Sequence, residues 1–217
     1  MESEALKRYK EKEARRVEIN LKHLEQGVEF VDLYAAYIEE SVEIGAGTVI
    51  GPCVTLKGNT IIGENCVIGQ NSRIEDSVIG DGVEIQSSVI LESRVGQETK
   101  VGPFAYLRPK SNVGQHCKIG DFVEVKNSNF GDGSKASHLT YIGDSDVGKD
   151  VNLGCGVVFV NYDGTNKFRS TVDDGAYIAA GSTVTEEVES DALYIARARG
   201  VKKQGWVSAK GILKKKK

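Results

Sequence analysis

From Ile38 to Phe159 a mostly aliphatic residue recurs at every fifth or sixth position, and this period limits the folds open to the chain more than any other feature. The run begins Ile38, Ile44, Ile50, Leu56, Ile62, Ile68 and Ile74. It continues through Ile79, Ile85, Ile90, Val95, Val101, Leu107, Val113, Ile119, Val125 and Phe130, and closes with Ala136, Ile142, Val147, Leu153 and Phe159. Many of these residues precede glycine, as in Ile44-Gly45, Ile50-Gly51, Ile62-Gly63, Ile68-Gly69 and Ile79-Gly80. A 3.6-residue helix would smear such positions around its axis. A short strand followed by a corner keeps them on one side, with the glycine expected to permit the bend. Three units then form a triangular coil of about 18 residues, and coils stack as parallel strands. The expected fold is therefore all-β, a parallel β-helix of roughly seven or eight coils. A sandwich is the alternative, but its strands recur at about 8–12 residues.

Small residues such as Cys66, Ser72 and Thr99 stand four places after an aliphatic one. With the six-residue unit, this pattern resembles the hexapeptide-repeat acyltransferases. The left-handed coiling expected here comes from that resemblance, since parallel crossovers are otherwise right-handed.

The repeat divides the chain into residues 1–27, 28–196 and 197–217. Residues 2–26 carry no hexapeptides and are rich in Glu, Lys, Arg, Ala and Leu, which favour helix. Leu6, Tyr9, Val17, Leu21 and Leu24 mark the face expected to dock on the first coil or on another subunit, a solvated charged helix being the alternative, and Gly27 is the expected C-cap. The repeat is expected to end after Val184. Arg197 to Lys217 is basic and ends in four lysines, which reads as a solvated tail.

The net charge of −3 gives no argument for nucleic-acid binding. No apolar run approaches the ~20 residues of a membrane helix, and the start Met1-Glu2-Ser3-Glu4 lacks the blocks of a signal peptide. A cytoplasmic location is expected. Cys53, Cys66, Cys117 and Cys155 form no C-x-x-C pair, so reduced thiols rather than zinc ligands are expected.

Residues 160–171 break the repeat with Asn161, Tyr162, Asp163, Asn166 and Lys167. A polar loop on a rigid solenoid is where function tends to sit, the alternative being a surface insertion that the repeat tolerates. Counting repeats also brings side chains together. Arg108 and Lys126 lie three units apart and stack on adjacent coils at about 4.8 Å. Paired cations there repel unless an anion joins them, and a phosphate suits an Arg fork with a Lys point charge. Solvated surface cations are the other reading of the same spacing. Glu124 and Tyr141 fall into register by the same count, with His138 beside Tyr141.

Four stretches then become specific: Gly102-Pro103-Phe104-Ala105-Tyr106-Leu107-Arg108-Pro109, Ile119-Gly120-Asp121-Phe122-Val123-Glu124-Val125-Lys126-Asn127, Ser137-His138-Leu139-Thr140-Tyr141-Ile142-Gly143-Asp144 and Asn161-Tyr162-Asp163-Gly164. In this order they resemble the acetyltransferase half of the bifunctional glucosamine-1-phosphate acetyltransferase / N-acetylglucosamine-1-phosphate uridyltransferase family. The first helix resembles the connector between that family's two halves.

The resemblance implies acetyl transfer from acetyl-CoA to glucosamine 1-phosphate, on the route to UDP-N-acetylglucosamine and the bacterial cell wall. It implies Arg108, Lys126 and Lys167 as phosphate contacts and Tyr141 and Asn152 as sugar contacts. His138 becomes the general base, with Glu124 holding the amine or orienting the base. Cys155, Asn161, Tyr162, Ala180 and Arg197 become the acetyl-CoA positions. A homotrimer with sites between subunits and no metal requirement are implied as well. Imidazoles titrate near neutrality, which suits removal of a proton from an ammonium.

Two departures stand out. The nucleotidyltransferase half is absent, so uridylyl transfer is not expected. Asp173-Asp174-Gly175-Ala176-Tyr177-Ile178 runs straight into Ala179-Ala180-Gly181-Ser182-Thr183-Val184, where the family implies about one further coil. Two alternatives to the acetyltransferase follow: a shortened scaffold without turnover, and a related N-acetyltransferase for another amine.

Overall fold

The computed structural model describes residues 2–211, so the four terminal lysines lie outside the described residues. One helix, Glu4–Glu25, precedes a solenoid of short parallel strands. The strands form three sheets of ten, nine and eight members, and each strand pairs with the one three strands later in the chain, except at the end of the first sheet, where the last two paired strands have one strand between them. The first face runs from Glu29–Phe30 to Leu193–Tyr194, the second from Tyr37–Ile38 to Thr183–Val184, and the third from Glu43–Ile44 to Ser170–Val172. This architecture fits the left-handed β-helix.

Every residue of the five-or-six-residue run is buried. On the first face Ile50, Ile68, Ile85, Val101, Ile119, Ala136, Leu153 and Ile178 stack in register as one column, none more than 2% exposed. Burying an aliphatic side chain of this size is worth about 1.5–3 kcal/mol. The column therefore gives each coil a reason to sit on the next. Phe130 and Phe159 are the largest fully buried side chains and lie late in the repeat.

The glycines act differently from expectation. Gly45, Gly63 and Gly96 have no left-handed φ, yet a Cβ on any of them would meet backbone of the next coil. At Gly96 it would lie 2.6 Å from the nitrogen of Gln115. Glycine is needed there for close stacking. The left-handed corner residue comes two positions later, as Asn65 (φ 54°) or Asn71 (φ 60°), residue types that tolerate that region. The small residues face inward and bridge coils. Thr99 Oγ1 donates to the Gly114 carbonyl at 2.8 Å and accepts from the Cys117 amide at 2.9 Å.

The solenoid has more coils than the seven or eight counted from aliphatic-Gly units. The first strand, Glu29–Phe30, precedes that pattern. After Val184 the coil continues without glycine: Val188 is buried and bridges Val172, and Leu193–Tyr194 pairs with Tyr177–Ile178.

The helix also docks by an unexpected face. Leu6, Tyr9, Leu21 and Leu24 are exposed, whereas Ile19, Asn20 and His23 are buried. The amide of Asn20 donates to the carbonyls of Leu33 (2.8 Å) and Ala36 (3.1 Å), and Arg16 donates to Tyr34 and Ala36. Polar side chains satisfying first-coil carbonyls, rather than an apolar stripe, seat the helix. Gln26 caps it, and Gly27 follows with a left-handed φ of 93°.

Candidate functional site

The register aligns the second-face residues as counted. Tyr106 pairs with Glu124, Leu107 with Val125, Glu124 with Tyr141, and Lys126 with Gly143. Arg108, directly after Leu107, donates its backbone amide to Val125 at 2.8 Å. Arg108 and Lys126 thus occupy equivalent places on adjacent coils. The protein itself supplies anions for them. Arg108 Nη1 lies 2.9 Å from Glu124 Oε1, and Lys126 Nζ lies 2.7 Å from Asp144 Oδ2. The Glu124 contact keeps the Arg108 guanidinium above its ordinary pKa.

Asp144 is the hub of the cluster and went unassigned in the sequence reading. It is buried, accepts from Asn127 Nδ2 at 2.6 Å, and is bonded by Asn161 Nδ2. Asn161 Nδ2 also reaches the Tyr141 hydroxyl at 3.3 Å. Burial pushes the Asp144 carboxyl up, but the hydrogen bonds from Lys126, Asn127 and Asn161, together with the Lys126 charge, hold it below its usual range.

His138 stands at the end of a first-face strand, and Leu139 beside it turns the corner with φ 48°. The carboxylate at hydrogen-bond distance from its ring is that of Asp121, with Nδ1 2.6 Å from Oδ1, rather than that of Glu124. Asp121 sits one coil earlier in direct register. That one-coil relation could have been counted from the repeat.

The remaining residues are dispersed. Asn152 lies on the first face, stacked between Lys135 and Tyr177. Cys155 is exposed near the following corner, and its carbonyl accepts from the Gly181 amide. Arg197 donates to the Ala180 carbonyl.

The segment after Val160 forms a small hairpin. Tyr162 bridges Lys167 in antiparallel fashion, Asp163 Oδ1 accepts from the amides of Thr165 and Asn166, and the Tyr162 hydroxyl donates to the Gly164 carbonyl. Tyr162 and Lys167 are exposed. Arg169 anchors the base through Asp146 and the carbonyls of Asn127 and Ser145.

Among the described residues no group of three or more His, Cys, Asp or Glu is arranged to hold a metal. No helix among them is long and apolar enough to cross a membrane.

Comparison with known proteins places this cluster in context. A family profile described as the GMPPB C-terminal domain matches residues 34–108. The bifunctional protein GlmU of Alkaliphilus oremlandii is 57% identical over 212 positions, covering 89% of this chain and 47% of that protein. The GlmU of Clostridioides difficile is 54% identical over 219 positions, covering 93% of this chain and 48% of that protein. The chain thus spans about half the length of the curated relatives it matches. Among solved structures, the UDP-N-acetylglucosamine acyltransferase of Francisella novicida aligns with a TM-score of 0.53 at 18% identity, covering 75% of this chain and 65% of that one. That of Campylobacter jejuni aligns with a TM-score of 0.51 at 19% identity, covering 73% and 69%. These two likenesses concern the fold. The chain is a homologue of the bifunctional GlmU proteins across about half of their length, built on a solenoid of parallel strands.

Proposed function

We propose that the protein is a glucosamine-1-phosphate N-acetyltransferase, producing N-acetylglucosamine 1-phosphate and CoA for UDP-N-acetylglucosamine and cell-wall synthesis. The observation that carries this reading is the stacked Arg108–Lys126 pair on the face next to the corner where His138 stands, in a chain half-identical to GlmU proteins. The sugar phosphate exchanges with Glu124 and Asp144 for the two cations, with Lys167 as a further contact. Tyr141 and Asn152 hold the sugar. His138 takes a proton as the amine attacks the thioester carbonyl. Collapse of the tetrahedral adduct expels the CoA thiolate, which takes the proton back. A positioned base of this kind is worth about 10²–10⁴-fold. Asn161, with neighbouring backbone amides, is the candidate donor to the oxyanion. Cys155, Tyr162, Ala180 and Arg197 are the proposed acetyl-CoA contacts.

The reading includes a homotrimer with the site between chains. Outward side chains on two faces of a convex prism diverge, so one ligand touching Asn152 on the first face and Lys126 on the second needs two copies. A cytoplasmic location fits four unpaired cysteines.

One observation favours a second reading, a shortened scaffold without turnover. The C. difficile alignment spans 219 positions but covers 93% of 217 residues, about 202. About 17 positions thus fall opposite no residue of this chain, close to one coil of three six-residue units. The coil bearing Tyr177 and Thr183 stacks directly on that bearing Asn152 and Val158. Incubation with glucosamine 1-phosphate and acetyl-CoA, followed by free-thiol release, decides between them. Release that depends on glucosamine 1-phosphate supports the enzyme. Release only with another amine points to a related transferase, and a stable oligomer without release or acetyl-CoA binding points to the scaffold.

A further inference from the structure

We infer that Asp121 is the positioning residue of His138, a role that rests on the reading of His138 as the base. The Asp121 carboxylate accepts a hydrogen bond from Nδ1–H and leaves Nε2 as the nitrogen that receives the proton of the acceptor amine. The two side chains are 2.6 Å apart, and each belongs to a strand of the same sheet, one coil apart in direct register. The backbone fixes both ends. The Leu139 amide donates to the Asp121 carbonyl at 3.0 Å, and the His138 carbonyl accepts from the Thr140 hydroxyl at 2.9 Å. An ionised carboxylate is acceptor only, so the nitrogen facing it must carry the proton. The other nitrogen is then the acceptor, and a ring held from one side presents it in one direction.

The pair is not explained as a support of the fold. The His138 and Asp121 side chains are 56% and 37% exposed, and pairs facing water in this way contribute little to stability. The solenoid contains a second pair, His116 Nδ1 with Glu98 Oε2 at 3.2 Å. It lies outside the Arg108–Lys126–Tyr141 cluster and serves as an internal control.

The test combines ring ¹⁵N NMR of the three histidines, assigned through His138→Ala, with steady-state kinetics on the full chain. In the native protein His138 is expected as the Nδ1–H tautomer. In Asp121→Ala it should shift to the Nε2–H form, and kcat should fall about 10–100-fold, as for loss of an orienting partner, with little change in either KM. Glu98→Ala should alter neither the His138 signal nor kcat. An Asp121→Ala protein with the native tautomer overturns the inference, whether or not the chain turns over. So does an unchanged kcat when His138→Ala is inactive. Full activity of His138→Ala would instead overturn the reading of His138 as base, and the positioning role with it.

Discussion

The Lys126 ammonium lies 2.7 Å from the carboxylate of Asp144, one coil further along the same solenoid edge. Asp144 is further held by Asn127 and Asn161, and these contacts outweigh burial to keep its carboxyl below the usual range. A depressed carboxylate contributes stability that is present above its unfolded pKa of about 3.9 and is lost as pH falls through the folded value. Melts recorded from about pH 5 downward should therefore show a loss of stability beginning near pH 4 that is smaller in Asp144→Asn. At neutral pH the same variant should be less stable by about 1–3 kcal/mol, since a partly buried ammonium loses its partner. Identical acid limbs in the two proteins would show that Asp144 does not carry this term.

Coil stacking should be sensitive to single methyl groups at chosen glycines. Gly96→Ala places a carbon 2.6 Å from the Gln115 nitrogen, whereas a Cβ at Gly200 would meet nothing within 4 Å. Denaturant titration should report a loss of about 1–3 kcal/mol for the first, as for overpacking, and little change for the second.

Arg169 ties the 160–171 hairpin to the two preceding coils through Asp146, Ser145 and Asn127. Arg169→Ala should release the hairpin. Limited proteolysis should then cut first between Tyr162 and Phe168, while the solenoid's thermal transition stays in place.

If the site lies between chains, two inactive variants should complement each other. Arg108→Ala and Asn152→Ala chains, co-refolded in equal amounts, should recover activity at about one quarter of their sites, as expected for random mixing in a cyclic oligomer. Absence of recovery in a confirmed mixed oligomer would place both residues in one chain's site.

The fold was legible because one physical requirement repeats: each coil must bury its aliphatic column on the next. That requirement exposed the register, and the register predicted that Leu107 meets Val125 and Glu124 meets Tyr141. Other features were hidden for particular reasons. Val188 and Tyr194 extend the solenoid without the glycine that advertises a coil. Asn20 and His23 seat the first helix by hydrogen bonding and burial, which an apolar-stripe reading passes over. Asp121 and Asp144 stand one coil from His138 and Lys126, so the count that paired the cations contained them. Spacing aligns them with their neighbours but does not distinguish a carboxylate that pairs across coils from one that faces water.

The division of labour between Lys126 and His138 is the claim on which the account stands. Initial rates of CoA thiol release, at varied glucosamine 1-phosphate and saturating acetyl-CoA, measure it directly. Lys126→Ala is expected to raise KM for the sugar phosphate about 10–100-fold, the worth of a charged hydrogen bond, with kcat largely kept. His138→Ala is expected to lower kcat about 10²–10⁴-fold at nearly unchanged KM. Two variants that both retain native kcat and KM would contradict the account.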